Sequence, residues 1–84
     1  MTYYTYITEN IENPHKIYIG MTNKPIGSGY IGSGIALKDA FKKYGKENFE
    51  RVDLGQTKYK DEAHYWEGFY IKYLNTLIDE DGYN

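Results

Sequence analysis

The stretch IYIGMTNKPIGSGYIGSG, residues 17–34, decides how this chain is read, because Tyr-Ile-Gly occurs in it at both Tyr18-Ile19-Gly20 and Tyr30-Ile31-Gly32. The first copy closes an alternating run in which Ile17, Ile19 and Met21 are out of phase with Lys16, Tyr18 and Gly20, the period of a strand over 16–21. The second falls in 22–34, where glycines and a proline break every period. It belongs to a loop, long for so small a chain and therefore a candidate functional loop.

Towards the N-terminus, YYTYIT at 3–8 is aromatic and β-branched without a breaker, which predicts a strand with Tyr4, Tyr6 and Thr8 on one face and Tyr3, Thr5 and Ile7 on the other. ENIENPH at 9–15 supplies turn chemistry around Asn13-Pro14, so a hairpin with a loop of about seven residues is expected. Towards the C-terminus the period becomes helical from Ile35: Ala36, Leu37, Ala40, Phe41 and Tyr44 share a face, and Gly45 is placed as a left-handed stop. Lys38 and Lys42 lie on the opposite face, with Lys46 past the helix end. FERVDL at 49–54 predicts a third strand with Val52 and Leu54 inward and Arg51 and Asp53 outward. A second helix is expected roughly from Asp61 to Leu74, and a final turn at DEDG, 79–82. The order β-β-α-β-α predicts one α+β domain over 1–84, a small three-stranded, mostly antiparallel sheet flanked by helices.

Composition narrows the chemistry. The chain has 84 residues, eleven of them tyrosine and none cysteine, so disulfides, thiol nucleophiles and zinc–thiolate centres are excluded. No basic leader followed by an apolar run and no bilayer-length apolar stretch is visible, which makes a cytoplasmic protein without membrane attachment the expectation. Net charge is −2, too low for a general electrostatic hold on nucleic acid. The distribution is uneven instead: Lys38, Lys42, Lys43 and Lys46 gather in one region, Asp79, Glu80 and Asp81 in another. On the second helix Glu67 has Ala63, His64, Tyr70 and Ile71 as its neighbours three and four positions away, so its carboxylate projects from a mainly apolar, aromatic face. Such a carboxylate is costly unless paired, protonated, metal-bound or turned to solvent. Gly68 beside it suggests a close neighbouring element.

The ordered set Tyr4-Thr5-Tyr6, Lys16 to Gly20, Gly29 to Gly34, Leu37-Lys38, Lys43-Tyr44-Gly45, Glu47-Asn48-Phe49, Glu67 and Gly82-Tyr83-Asn84 resembles the GIY-YIG nuclease superfamily, in its branch of small phage and homing-endonuclease-type domains. The resemblance spans essentially the whole chain. Tyr18-Ile19-Gly20 matches the YIG of the family name and Tyr4-Thr5-Tyr6 stands in place of GIY. Tyr30-Ile31-Gly32 belongs to the glycine-rich loop before the first helix. The resemblance implies a DNA endonuclease hydrolysing phosphodiester bonds with one divalent cation, Mg²⁺ or Mn²⁺. It implies Tyr6 and Tyr18 in the site, one of them deprotonating or orienting the attacking water, Glu67 as metal ligand and Asn84 as a hydrogen-bonding support. Gly20, Tyr30, Lys42 and Lys43 are the corresponding substrate-side candidates. Read without the family, Tyr6 and Tyr18 are a cross-strand aromatic pair.

One departure bears on activity. Family members usually carry an arginine on the first helix after YIG, where a fixed cation stabilises developing charge; IALKDAFKKYG has none, and Lys38 is its nearest substitute. An ammonium lacks the forked contact of a guanidinium. Weakly selective cutting or nicking is the leading expectation, with a dimer, a partner protein or a longer parent chain supplying DNA targeting. A catalytically impaired module that binds protein or nucleic acid is the alternative.

Overall fold

A computed structural model of the chain describes residues 1–74 and 82–84. The acidic run at 79–81, and with it the final turn expected there, lies outside the described residues. The elements are β1 (Tyr3–Asn10), β2 (Asn13–Thr22), α1 (Ile35–Tyr44), β3 (Phe49–Thr57) and α2 (Lys60–Tyr73). They form a three-stranded sheet in the order β2-β1-β3, antiparallel throughout. β1 is central, and its Thr5, Tyr6, Thr8 and Asn10 are all buried.

The two sheet faces follow the period-two reading of β1. On one, Tyr6, Thr8 and Asn10 lie opposite Gly20 and Tyr18 of β2 and Asp53, Arg51 and Phe49 of β3. Here Leu37 and Ala40 of α1 pack with Phe49, bordered by Tyr18, Ile31, Phe41, Tyr44 and Tyr83. Phe41 meets Phe49 edge to face, with ring centroids 4.8 Å apart, an arrangement worth about 0.5–1.5 kcal/mol beyond area burial. On the other face α2 crosses all three strands, most extensively β2 and least β3, covering Thr5 and Ile19 and burying its own Ala63. The C-terminal residues join this frame: Gly82 bridges Ile17 in parallel, the Tyr83 N–H donates to the Ile17 carbonyl at 2.9 Å, and Asn10 Nδ2 donates to the Tyr83 hydroxyl at 3.2 Å.

Three local expectations are corrected. The hairpin turn is not at Asn13-Pro14: β1 runs to Asn10 and β2 begins at Asn13, with Asn10 Oδ1 accepting the Glu12 N–H at 3.0 Å. The side chain of Asn10 thus makes the turn three residues early, and the surplus residues become a register shift between Glu9 and Asn10. In β3 the facing is reversed. Arg51 is 5% exposed and points to the Tyr6 face, whereas Val52 is 47% exposed. Phe49, two residues earlier and buried, sets the parity of Arg51. Val52 shares the α2 face, but on the edge strand that α2 covers least, and Leu54 sits in the register shift between Thr5 and Tyr6. Gly68, finally, has no close neighbour among the described residues, since a Cβ there would meet none of their atoms within 4 Å.

Candidate active site

The strand phrase Tyr18-Ile19-Gly20 is held in register with β1 so that Gly20 lies directly opposite Tyr6. A Cβ on Gly20 would fall 2.5 Å from the Tyr6 hydroxyl oxygen and 2.9 Å from Tyr18 Cε2. Both phenols therefore lean over a position that only a residue without Cβ leaves open. Their ring centroids are 6.2 Å apart and tilted by 44°.

The loop phrase closes over the same rings. Tyr30 meets Tyr6 edge-on at 6.3 Å. Gly32 has φ 129°, and a Cβ there would lie 2.6 Å from Leu37 Cδ2 and 3.0 Å from Tyr18 Cε2. The loop is pinned from beneath by two side chains of the sheet. The Thr8 hydroxyl donates to the Ile31 carbonyl, and Arg51 Nη1 donates to the carbonyls of Lys24 and Tyr30, each at 3.0 Å. Arg51 Nε pairs with Asp53 Oδ1 at 2.7 Å, and its guanidinium lies 4.8 Å over the Tyr6 ring and 5.6 Å over that of Tyr4. Desolvated contacts of this kind are worth up to about 2 kcal/mol.

This environment keeps the phenols neutral. Burial pushes Tyr6 far above the usual phenol range, helped by the neighbouring Tyr18 and Tyr30 hydroxyls, while the Arg51 charge works in the opposite direction. Burial also raises Tyr18. Hydrogen bonding from Ser33 opposes that rise, whereas the charges of Tyr30 and Glu67 add to it. Tyr6 is 1% exposed; Tyr18 is only half-buried, so of the two it alone has surface to offer a solvent molecule.

Glu67, 28% exposed at its side chain, is close enough for its charge to bear on Tyr18. His64 Nδ1 lies 3.5 Å from Glu67 Oε1, one helical turn earlier. Among the described residues no group of three or more potential ligand side chains converges on one point. The Glu67 carboxylate by itself suits a hard divalent ion, which is commonly held by one or two carboxylates and otherwise by water and substrate oxygens.

The remaining candidates are placed less centrally. Asn84 braces the strand between Tyr18 and Gly20: its side-chain amide accepts the Ile19 N–H at 2.7 Å and donates to the Ile19 carbonyl at 2.8 Å. Lys38, Lys42 and Lys43 are exposed on α1, and the Lys43 ammonium sits 5.1 Å over the Tyr44 ring. Sequence reasoning missed the two loop pins, Thr8 and Arg51. The spacing from Phe49 was the available signal for Arg51; nothing in the pattern marked Thr8. A cleft of about 190 Å³ lined by Thr5, Gly55, Trp66 and Tyr70 lies on the α2 side and includes neither Tyr6 nor Tyr18.

The arrangement has counterparts among known proteins. The chain is 29% identical to a mutant of the catalytic domain of intron endonuclease I-TevI, with a TM-score of 0.79 covering 100% of this chain and 93% of that one. A second structure of the catalytic domain of homing endonuclease I-TevI gives a TM-score of 0.76 at 26% identity, covering 98% of each. In sequence it is 41% identical over 68 residues to putative endonuclease segE of Enterobacteria phage T4, covering 80% of this chain and 33% of that protein. It is 48% identical over 59 residues to endonuclease segA of the same phage, covering 69% of this chain and 25% of segA. The chain thus spans a third or less of the length of these two relatives. A family model described as the GIY-YIG catalytic domain matches residues 2–84. With the fold, the strand-borne Tyr-Ile-Gly and this match in agreement, the chain belongs to the GIY-YIG catalytic domain family of endonucleases.

Proposed function

We propose that this chain is a divalent-metal-dependent endonuclease, cutting or nicking DNA with weak selectivity of its own, with Mg²⁺ or Mn²⁺ held at Glu67. The observation that carries the reading is the convergence of Tyr6 and Tyr18 over Gly20, with the Glu67 carboxylate half-buried on α2. A bound divalent cation supplies polarisation of a phosphoryl oxygen and compensation of charge in the transition state. Tyr18, with exposed surface, orients the attacking water through its hydroxyl. Tyr6 is sealed beneath and fixes the Tyr18 ring. Because both phenols stay protonated, they serve at neutral pH as hydrogen-bonding groups, each able to donate and accept. Lys38 stands in for the arginine absent from α1, and Lys42 and Lys43 attract the phosphate backbone. Asn84 holds the strand edge that presents Tyr18. A second copy, a partner protein or a longer parent chain supplies targeting, and the cytoplasm, that of the host if the chain is phage-encoded, is the place of action.

The test is conversion of supercoiled plasmid to open circles with Mg²⁺ or Mn²⁺. Glu67→Gln is expected to lower the rate at least about 100-fold, the scale seen when one charge-stabilising group is removed from a site. Cleavage untouched by the substitution would sink the metal assignment. DNA or protein binding without cleavage under every metal would favour the impaired module.

A further inference from the structure

The reaction proposed above makes no use of Arg51, the only arginine of the chain. Its side chain is 1% exposed, and Nη2 is buried with no hydrogen-bond partner among the described residues. A buried cation is a weak source of stability, because replacing such groups by well-packed apolar ones is often neutral or favourable. Packing alone therefore does not account for it. Its contacts do have a common direction. Nη1 joins two points of the loop, the carbonyls of Lys24 and Tyr30, to β3. The guanidinium carbon lies over the Tyr6 ring, and the loop residue that Arg51 holds, Tyr30, is the one whose ring meets Tyr6. Asp53, which pairs with Nε, is the β3 residue directly opposite Tyr6.

We propose that Arg51 is a positioning residue of the nuclease site: from β3 it latches the glycine-rich loop onto the tyrosine face and fixes Tyr6, whose ring meets those of both Tyr18 and Tyr30, without touching DNA itself. The chain lacks an arginine on α1 and places its single guanidinium behind the phenols instead. The proposal rests on the reading of Tyr18 and Glu67 given above.

Arg51→Met, which keeps the length of the stem and removes charge and donors, is compared with Arg51→Lys, which keeps a cation and donors for the carbonyls. On supercoiled plasmid with Mg²⁺, Met is expected to lower kcat about 10- to 100-fold, the effect of small misplacement in a site, with KM and its salt dependence unchanged. Lys is expected to recover most of the loss. A residue touching one phosphate would reduce the slope of log affinity against log salt by about 0.9, and that result would overturn the proposal, as would equal kcat for Met and wild type. Should Met not fold, Arg51→Gln replaces it: Lys faster than Gln supports the latch, and equal rates overturn it. Amide hydrogen exchange needs no cleavage. Faster exchange in 22–34, with α2 unchanged, is expected in the Met or Gln variant, and an unchanged loop overturns the proposal. Activity surviving Glu67→Gln takes down the metal reading and leaves the exchange comparison standing, whereas wild-type cutting by the Met variant takes down only the latch.

Discussion

The two Tyr-Ile-Gly phrases share three letters and end on two sides of one ring. Both tyrosines reach Tyr6, at 6.2 and 6.3 Å. Both glycines border Tyr18 Cε2, where a Cβ would lie at 2.9 and 3.0 Å. Their isoleucines differ: Ile19 is fully buried on the α2 face, while Ile31 borders the α1 core and offers its carbonyl to Thr8. The backbones differ as well, since Gly20 lies in a regular strand and Gly32 needs a positive φ. A strand ladder holds one phrase and two side-chain latches hold the other, so identical residues do different work: the first presents Tyr18, the second closes over it.

Paired substitutions measure that difference. Tyr18→Phe keeps the ring and is expected to lower the cleavage rate about 100- to 1000-fold, the effect of deleting one catalytic hydrogen-bonding group, with an unchanged melting temperature. Tyr30→Phe should stay within about 10-fold of wild type, one decade being ~1.4 kcal/mol of barrier. Equal losses would mean that the phrases share one role. The next effect is on stability. Gly32→Ala combines overpacking against Leu37, about 1–3 kcal/mol, with a positive φ that costs about 1–2 kcal/mol. Gly20→Ala carries the overpacking alone, against rigid rings. Thermal denaturation should rank Gly32→Ala below Gly20→Ala, at roughly 4–8 °C per kcal/mol for a domain of this size; the reverse order would make the strand the tighter half. Gly68→Ala is the small reference. With no described residue crowding it in α2, it is expected to raise stability by about 0.5–1 kcal/mol, and a loss would reveal an obstruction beside the helix.

Much of this was legible because alternation and helical period are local. The facing of β1, the limits of α1 at Ile35 and Tyr44 and the loop nature of 22–34 all follow from short-range patterns. What stayed hidden depended on which strand is at an edge. Val52 looks like a core residue in any strand; only its place on the least covered strand exposes it. Arg51 looks like a surface residue, yet a loop supplying carbonyl acceptors lets its charge be buried. Asn10 turns the hairpin early through its own side chain, a competition between Asn-Pro and Asn turn chemistry that composition leaves undecided. In the candidate site, that Tyr6, Tyr18 and Gly20 lie together could be read from the ordered motif. Thr8 could not, because its only mark is a partner 23 residues away.

The C-terminal pairing has a consequence for how molecules meet one another. Tyr83 and Asn84 occupy the Ile17 carbonyl and both backbone groups of Ile19 along the outer side of β2. Deleting residues 82–84 would leave those groups unmatched along a hydrophobic strand, a template onto which a strand from another copy can add. Residues 82–84 thus act as a seal against intermolecular sheet growth, and a chain lacking them should precipitate before it loses its secondary structure.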